Sequence, residues 1–442
     1  MNITRERIGI KAIDCIVSSF TKSQFFKEKN TPSKKQEIDM NAYDIISALG
    51  AGTVLGWTAN ITDDLKAGKL GNLKITDTQL SLVGSLVPLG AMLICVPVGV
   101  LADLIGRKLT ILLSSIPFII GWLLVTFPMH INMIYAGRLL TGLAGGSFCV
   151  TAPMYTSEIA QTEIRGTLGT CFQLFVTIGI LLVYVCGHVF PMMLYNLICL
   201  EIPIGFALVF MFQSETPVYS LRKGQNDKAE KAFRRLRGPD YNPADEIKAI
   251  QEQIAKEQNT KSFWVAMGTK AAKKATLICF MLMVYQQLSG INAVIFYSKD
   301  IFIAAESSLA SHWCTIVIGA VQVVATLVED AIKSIAFIPI LSLVIFIIAF
   351  SLGSGPLPWV ACSEIFPPDV MAKCSSAAGA LNWSLAFLVT MFYHRLAMAI
   401  GNDVTFYIFA AVSFTGVFFV IFVMPETKGK TFAQIQAEIG GE

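Results

Sequence analysis

A compact group of charges sits between two apolar stretches: Asp103, Arg107 and Lys108, with Gly106 among them. Two helices that reverse direction in so few residues need a position without a Cβ, and Gly106 supplies it. Asp103 and Arg107 are spaced to pair, and Arg107 has Glu158 and the partners of Arg165 within reach on neighbouring helices. Such a cluster latches two elements in one state and releases them in another; the plainer reading is a turn anchored by positive charge. Glu201 is a lone carboxylate midway along an apolar stretch, where an ionisable group is a functional candidate by default. Enzyme chemistry finds no such footing. No nucleophile stands with a base, and His130, His188, His312 and His394 fall near the ends of apolar stretches. The ten cysteines, Cys95, Cys149, Cys186, Cys199 and Cys279 among them, lie mostly inside apolar runs without metal-ligand spacing. The expectation is a protein that is not an enzyme and has no metal site and no cofactor. The formal net charge of +3 points to no acidic partner, nucleic acid included.

The elements that position these charges are membrane spans. Only 15% of the residues are charged and 54% are hydrophobic, against roughly a quarter charged in soluble domains. The apolar residues gather in runs long enough for a bilayer core, which takes about 20 residues per helix. Runs such as 111–127 and 340–352 lack the polar alternation of a soluble core helix. Spans are expected at 42–61, 79–102, 109–127, 131–153, 167–189, 192–212, 273–300, 311–329, 335–358, 372–397 and 404–424. This divides the chain into an N-terminal tail (1–41), an N-terminal membrane half (42–212), a charged helical linker (213–272), a C-terminal membrane half (273–424) and a C-terminal tail (425–442). The tail and linker are rich in Lys and Arg, which places both, with the N-terminus, on the cytoplasmic side. No signal-peptide pattern opens the sequence.

The halves repeat each other. Ser157-Glu158-Ile159 recurs as Ser363-Glu364-Ile365, and Ser214-Glu215-Thr216 is echoed by Pro425-Glu426-Thr427. Parallel repeats of this kind mark a large class of secondary transporters. The repeat is uneven. Asp103 lies 55 positions before Glu158, whereas its counterpart Asp330 lies only 34 before Glu364. The shortfall of 21 is about the length of one span, so eleven spans are expected, with one missing between Val328 and Ser334. An odd count puts the C-terminal tail outside, while Lys428 and Lys430 favour inside.

Taken together, Asp103–Lys108, Gly137-Arg138 to Gly142, Tyr155 to Glu158 with Arg165-Gly166, Ser214 to Pro217, Gln286-Gln287 to Gly290 and Asn292, Gly355 to Trp359, and Pro425 to Gly429 resemble the sugar porter family of the major facilitator superfamily. Within it, Gly56-Trp57-Thr58 and the 286–297 stretch are most similar to the insect facilitated trehalose transporters. The resemblance implies an all-α membrane fold of two six-helix halves, here one span short, in the plasma membrane. It implies facilitative transport of a sugar, trehalose or a hexose such as glucose, by alternating access. The competing readings are a proton-coupled symporter and a sugar sensor or truncated isoform that does not transport. Its partners are a small neutral sugar and the lipid bilayer; nothing sets an oligomeric state.

The sugar contacts implied are Gln173, Gln286, Gln287, Asn292, Gln322, Trp359 and Asn382. Amides both donate and accept, so they match sugar hydroxyls without burying a charge. Trp359 offers a ring face to the apolar side of a pyranose, while Gln322 stands where the family usually has Asn. The prolines and glycines around Trp359 (Gly353, Gly355, Pro356, Pro358) bar a straight helix and suit a gate. The implied gating charges are Asp103, Arg107, Arg138, Glu158, Arg165, Glu215, Glu364 and Glu426. Proton-coupled members carry Asp at the position of Thr58, facing the counterpart of Arg138; Thr58 cannot titrate, which favours downhill transport. Met371-Ala372 replaces the expected Arg-Gly partner of Glu364, so the second latch is reduced. The sequon at Asn60 is a candidate glycosylation site; those at Asn2 and Asn382 are not.

Overall fold

The computed structural model describes residues 32–440 apart from 161–164, 259–264, most of 305–344, 428–431 and a few single positions. The described chain is helical. Helices α1 (Pro32–Lys66), α2 (Asp77–Ile105), α3 (Arg107–Thr126), α4 (Ile131–Ile159), α5 (Arg165–Val189) and α6 (Met192–Phe210) form the first half. Three linker helices follow: α7 (Pro217–Arg222), α8 (Asn226–Arg237) and α9 (Ala244–Gln258). The second half contributes α10 (Lys270–Leu288), α11 (Ile291–Ala304), a π-helical turn (Phe350–Ser354), α12 (Leu357–Ile365), α13 (Pro368–Ile400) and α14 (Asn402–Val423), and α15 (Phe432–Gly440) lies in the tail. Among the described residues eight helical stretches are long and apolar enough to cross a membrane, with Ile45–Ala59 as a shorter apolar helix. The expected span 311–329 and most of 335–358 lie outside the described residues. Helix α1 begins at Pro32, ten residues before the expected start of the first span at 42.

Local chemistry sets the helix limits. Thr76 and Gln79 form a reciprocal capping box at the start of α2, and Thr269 caps α10 by accepting from the Ala272 N–H. Hydroxyls inside the spans bond to their own helix backbone, as Ser114 does to the Thr110 carbonyl and Thr126 to the Trp122 carbonyl. In hydrocarbon that is the nearest available acceptor.

Burial is inverted relative to a soluble protein. Arg138 is fully buried, while Phe422 is 78% exposed and Leu104, Phe414 and Val417 are also exposed. Polar groups turn to the bundle axis and apolar ones to lipid, the arrangement a bilayer imposes. Within the first half α1 packs on α5, α2 and α3 pack on α4, and α3 packs on α6. At the α1–α5 crossing a Cβ on Gly179 would lie 2.2 Å from the Leu49 carbonyl oxygen, so the backbones touch.

The halves meet through α2 against α13 and α1 against α11. These contacts lie toward the start of α2: Ser85 Oγ donates to Met391 Sδ at 3.3 Å, and a Cβ on Gly84 would lie 3.1 Å from the Tyr297 hydroxyl. Helices α4 and α12, which end near Glu158 and Glu364, are not a packed pair. Among the described residues, the Ser85 and Gly84 contacts between the halves lie at the end where α2 begins.

Candidate functional site

At the linker end, Gly106 adopts φ +102°, a conformation that L side chains rarely take, and this lets α3 start directly after α2 ends. The carboxylate of Glu215 caps that start. It accepts from the backbone N–H groups of Arg107 (3.1 Å), Lys108 (3.1 Å) and Thr216 (2.9 Å). A helix N-terminus favours a negative charge for the same reason it leaves N–H groups unpaired. Arg107, 3% exposed, bonds Glu158 through Nε (2.9 Å) and Nη2 (2.8 Å) and pairs with Asp103 at 3.0 Å. The Thr216 hydroxyl donates to the second Glu158 oxygen, and Tyr219 donates to the Leu104 carbonyl at 3.0 Å while its ring lies under Arg107. Five elements, α2, α3, α4, α7 and the 211–216 connection, are thus tied through one guanidinium, three carboxylates and the Thr216 and Tyr219 hydroxyls.

Arg138 sits deeper. Its guanidinium donates to the Thr58 hydroxyl (2.9 Å) and to the carbonyls of Val54 (3.2 Å) and Val83 (3.3 Å), and it lies 4.7 Å from the Trp57 ring centre. Among the described residues every one of these partners is neutral. Trp57 is itself held by Asn196, whose Oδ1 accepts from the indole at 2.8 Å. Glu201, the other candidate for proton chemistry, is exposed on α6 and is not one of Arg138's partners.

The second half supplies a row of amides. Asn292 donates to Gln287, Gln287 donates to Asn382 (2.9 Å), Asn382 donates to Gln286, and Gln286 donates to the carbonyls of Ser354 and Gly355 (both 2.7 Å). All four side chains are buried. Gly290 makes this possible. Its φ of +87° breaks the helix between α10 and α11, and a Cβ there would lie 2.5 Å from the Phe409 ring. The break carries Asn292 back over the end of α10, so three residues on two helices converge on Asn382 of α13. The row ends on the π-helical turn at Phe350–Ser354, where the prolines at 356 and 358 prevent a regular α-helix. Trp359, 42% exposed, lies beside Gly379, three residues before Asn382.

The remaining expected residues are dispersed. Gln173 is half-buried on α5, in the other half. Gln322 and the Arg165 side chain lie outside the described residues. Glu364 and Glu426 are exposed, and among the described residues no ion pair involves Glu364, in contrast to its repeat counterpart Glu158. Asn60 falls inside α1, and the Thr62 hydroxyl of its sequon is buried and donates to the Thr58 carbonyl at 3.2 Å. Among the described residues no group of His, Cys, Asp and Glu is arranged to hold a metal. Two participants escape a reading of side-chain types: the Ser354 and Gly355 carbonyls that receive the amide row, and Thr216, whose hydroxyl completes the Glu158 site. The clustering of Gly353, Gly355 and Pro356 is the one signal that the backbone there would be free to accept.

The sequence profile of the sugar (and other) transporter family matches residues 14–331 and 327–439. The facilitated trehalose transporter Tret1 of Aedes aegypti is 33% identical over 435 residues, covering 90% of this chain and 54% of the relative. The Tret1 of Culex quinquefasciatus is 32% identical, covering 90% of this chain and 84% of the relative. The chain spans about half the length of the Aedes and Anopheles relatives it matches. Among solved structures, the proton:xylose symporter XylE bound to 6-bromo-6-deoxy-D-glucose superposes with a TM-score of 0.75 at 18% identity, over 92% of this chain and 99% of that one. The inward open conformation of XylE from E. coli gives 0.73 at 18% identity, over 91% and 99%. These two establish the major facilitator fold.

Proposed function

Because this chain belongs to the sugar (and other) transporter family, we propose that it carries a small neutral sugar, trehalose or a hexose such as glucose, down its gradient by alternating access. The observation that carries this reading is the buried amide row from Asn292 to the Gly355 carbonyl. Without ligand the amides satisfy one another, as buried polar groups must. A sugar hydroxyl donates and accepts as an amide does, so it exchanges into the row with little net loss of hydrogen bonds. An ionic solute would have to give up its hydration for neutral partners. The printed names of the relatives favour trehalose.

Downhill transport is supported by Arg138. A proton-coupled carrier needs a carboxylate that gains and loses a proton as its cation moves, and Thr58 cannot do this. Among the described residues the halves touch where α2 begins, and α4 and α12 at the linker end are not a packed pair. With the basic linker and N-terminal tail in the cytoplasm, this is the cytoplasm-facing state of a plasma-membrane carrier.

The test is uptake of labelled trehalose and glucose into vesicles containing the purified chain, with and without an inward pH gradient. Equilibration of one sugar to the outside concentration, unaffected by the gradient, is expected. Accumulation above that level, abolished by a protonophore, overturns the downhill reading. A second reading, a sugar sensor that binds without transporting, is favoured by the exposure of Glu364 and by the break of the family match at 327–331. Saturable binding without uptake would establish it.

A further inference from the structure

Helix α10 touches the gate segment twice. The first contact is the Gln286 amide on the Ser354 and Gly355 carbonyls. The second involves sulfur: α10 and α12 pack on each other, and Cys279 of one and Cys362 of the other are buried in the same apolar cluster. The two contacts share one register. Cys279 lies seven residues before Gln286 on α10, and Cys362 lies seven residues after Gly355 on the opposing strand of chain. Seven residues are about two helical turns, so each pair falls on one face. The segments run antiparallel, so the amide contact places Cys279 and Cys362 at the same level of the bundle. Both thiols are buried in the apolar cluster formed by α10, α12, α13 and α15, with Ile278, Ala361 and Ile365 around them. The neighbouring Cys374 is engaged elsewhere, at 3.6 Å from Met267 Sδ and 3.8 Å from the Thr276 hydroxyl.

We propose that Cys279 and Cys362 form a closable disulfide that fastens the gate helix α12 to α10 and arrests the carrier under peroxide stress. The inference rests on the transport reading above only for its consequence, not for its chemistry. In the step, the Cys279 or Cys362 sulfur attacks hydrogen peroxide, becoming a sulfenic acid and releasing water. The second thiol then attacks that sulfur, the S–S bond forms and a second water leaves. Two electrons pass from the two sulfurs to the peroxide, and both thiol protons end in water. In the resting state burial shields the pair, and structural thiols of this kind are inert. The sulfurs become reachable as α12 swings away from α10, so oxidation depends on cycling. A reducing cytosol reopens the bond, in keeping with the transient disulfides of that compartment.

The experiment treats vesicles containing the full chain with hydrogen peroxide, with and without trehalose or glucose. Remaining thiols are then alkylated, and cross-linked peptides are mapped by mass spectrometry. A 279–362 cross-linked peptide and a loss of two alkylatable thiols are expected, faster with sugar present and reversed by dithiothreitol. Cys374→Ala should behave as the parent does, and Cys279→Ala and Cys362→Ala should each abolish the cross-link. In parallel, peroxide should lower sugar uptake at least tenfold in the parent and leave both alanine variants unaffected. Failure to form the cross-link in the parent, or thiol loss that persists in Cys279→Ala, overturns the proposal. If the chain takes up no sugar before oxidation, the transport reading fails while the mapped cross-link still decides the pairing. A cross-link that forms without slowing uptake shows that the pair does not gate, and sinks the arrest.

Discussion

At the scale of single residues, the amide row separates positions that look alike in sequence. Asn292 stands at the donor end, with one partner in Gln287, whereas Asn382 sits between Gln287 and Gln286 and serves both. Truncating Asn292 removes a proposed ligand contact and strands one buried acceptor, Gln287 Oε1. Truncating Asn382 strands two buried groups, at a cost of about 1–3 kcal/mol each. Asn292→Ala is therefore expected to weaken sugar binding by roughly tenfold, with a smaller fall in melting temperature than Asn382→Ala. Asn382→Ala is expected to lower both. Titration of sugar and thermal melts of the purified protein check the pair, and equal losses in both variants would refute the order of the row. That Gln286, Gln287 and Asn292 share one cluster was legible from their spacing around Gly290. Their sequence of donation was not, because it depends on Asn382, 90 residues further on, and on a backbone that no side-chain pattern reveals.

At the scale of elements, the start of α3 is held by a carboxylate more than a hundred residues distant. The Asp103–Arg107 spacing and the turn at Gly106 announce a latch, and the structure finds Arg107 between Asp103 and Glu158. That Glu215 caps the helix could not be read from sequence, since capping rules look to the residues immediately before a helix. Here Gly106 has no side chain to offer, and it leaves room for Glu215 instead: a Cβ would lie 2.3 Å from Glu215 Oε2. Gly106→Ala should displace the cap and strain the turn, costing about 2 kcal/mol or more. Gly99→Ala on the same helix, where a Cβ meets nothing within 4 Å, is the control and should melt at the parent temperature or above. Matching melting temperatures for both variants would show that the cap contributes nothing. The bend before Trp359 was likewise visible in its prolines and glycines, but its π-helical form was not.

At the scale of the whole molecule, the two halves are unequal. The first closes its latch around Glu158, whereas Glu364 is exposed at the corresponding place in the second. The 21-residue shortfall between Asp330 and Glu364 and the break in the family match at 327–331 fall in the same stretch. A carrier that rocks one half against the other around a central site depends on both latches. Inserting a ninth span and a Gly-Arg-Arg turn between Val328 and Ser334, together with Arg-Gly at 371–372, should raise the initial rate of uptake severalfold over the chain as it stands. Equal rates would show that the uneven second half is tolerated. The helical membrane fold was legible because bilayer thickness sets span length directly. The span count was not testable on the same footing, because the stretch that decides it lies outside the described residues.

Arg138 brings an electrical consequence. Its guanidinium keeps its proton in any accessible state, and among the described residues no carboxylate neutralises it at its depth in the bundle. In the proposed carrier, rocking the first half would displace this fixed charge through part of the transmembrane field, where a full crossing is worth about 2.3 kcal/mol per 100 mV. The sugar itself carries no charge, so a complete cycle returns the arginine to its starting place and moves no net current. Membrane voltage then cannot drive accumulation, but it does bias which way the empty carrier faces. The signature is a brief capacitive displacement when the potential is stepped, with no steady current behind it.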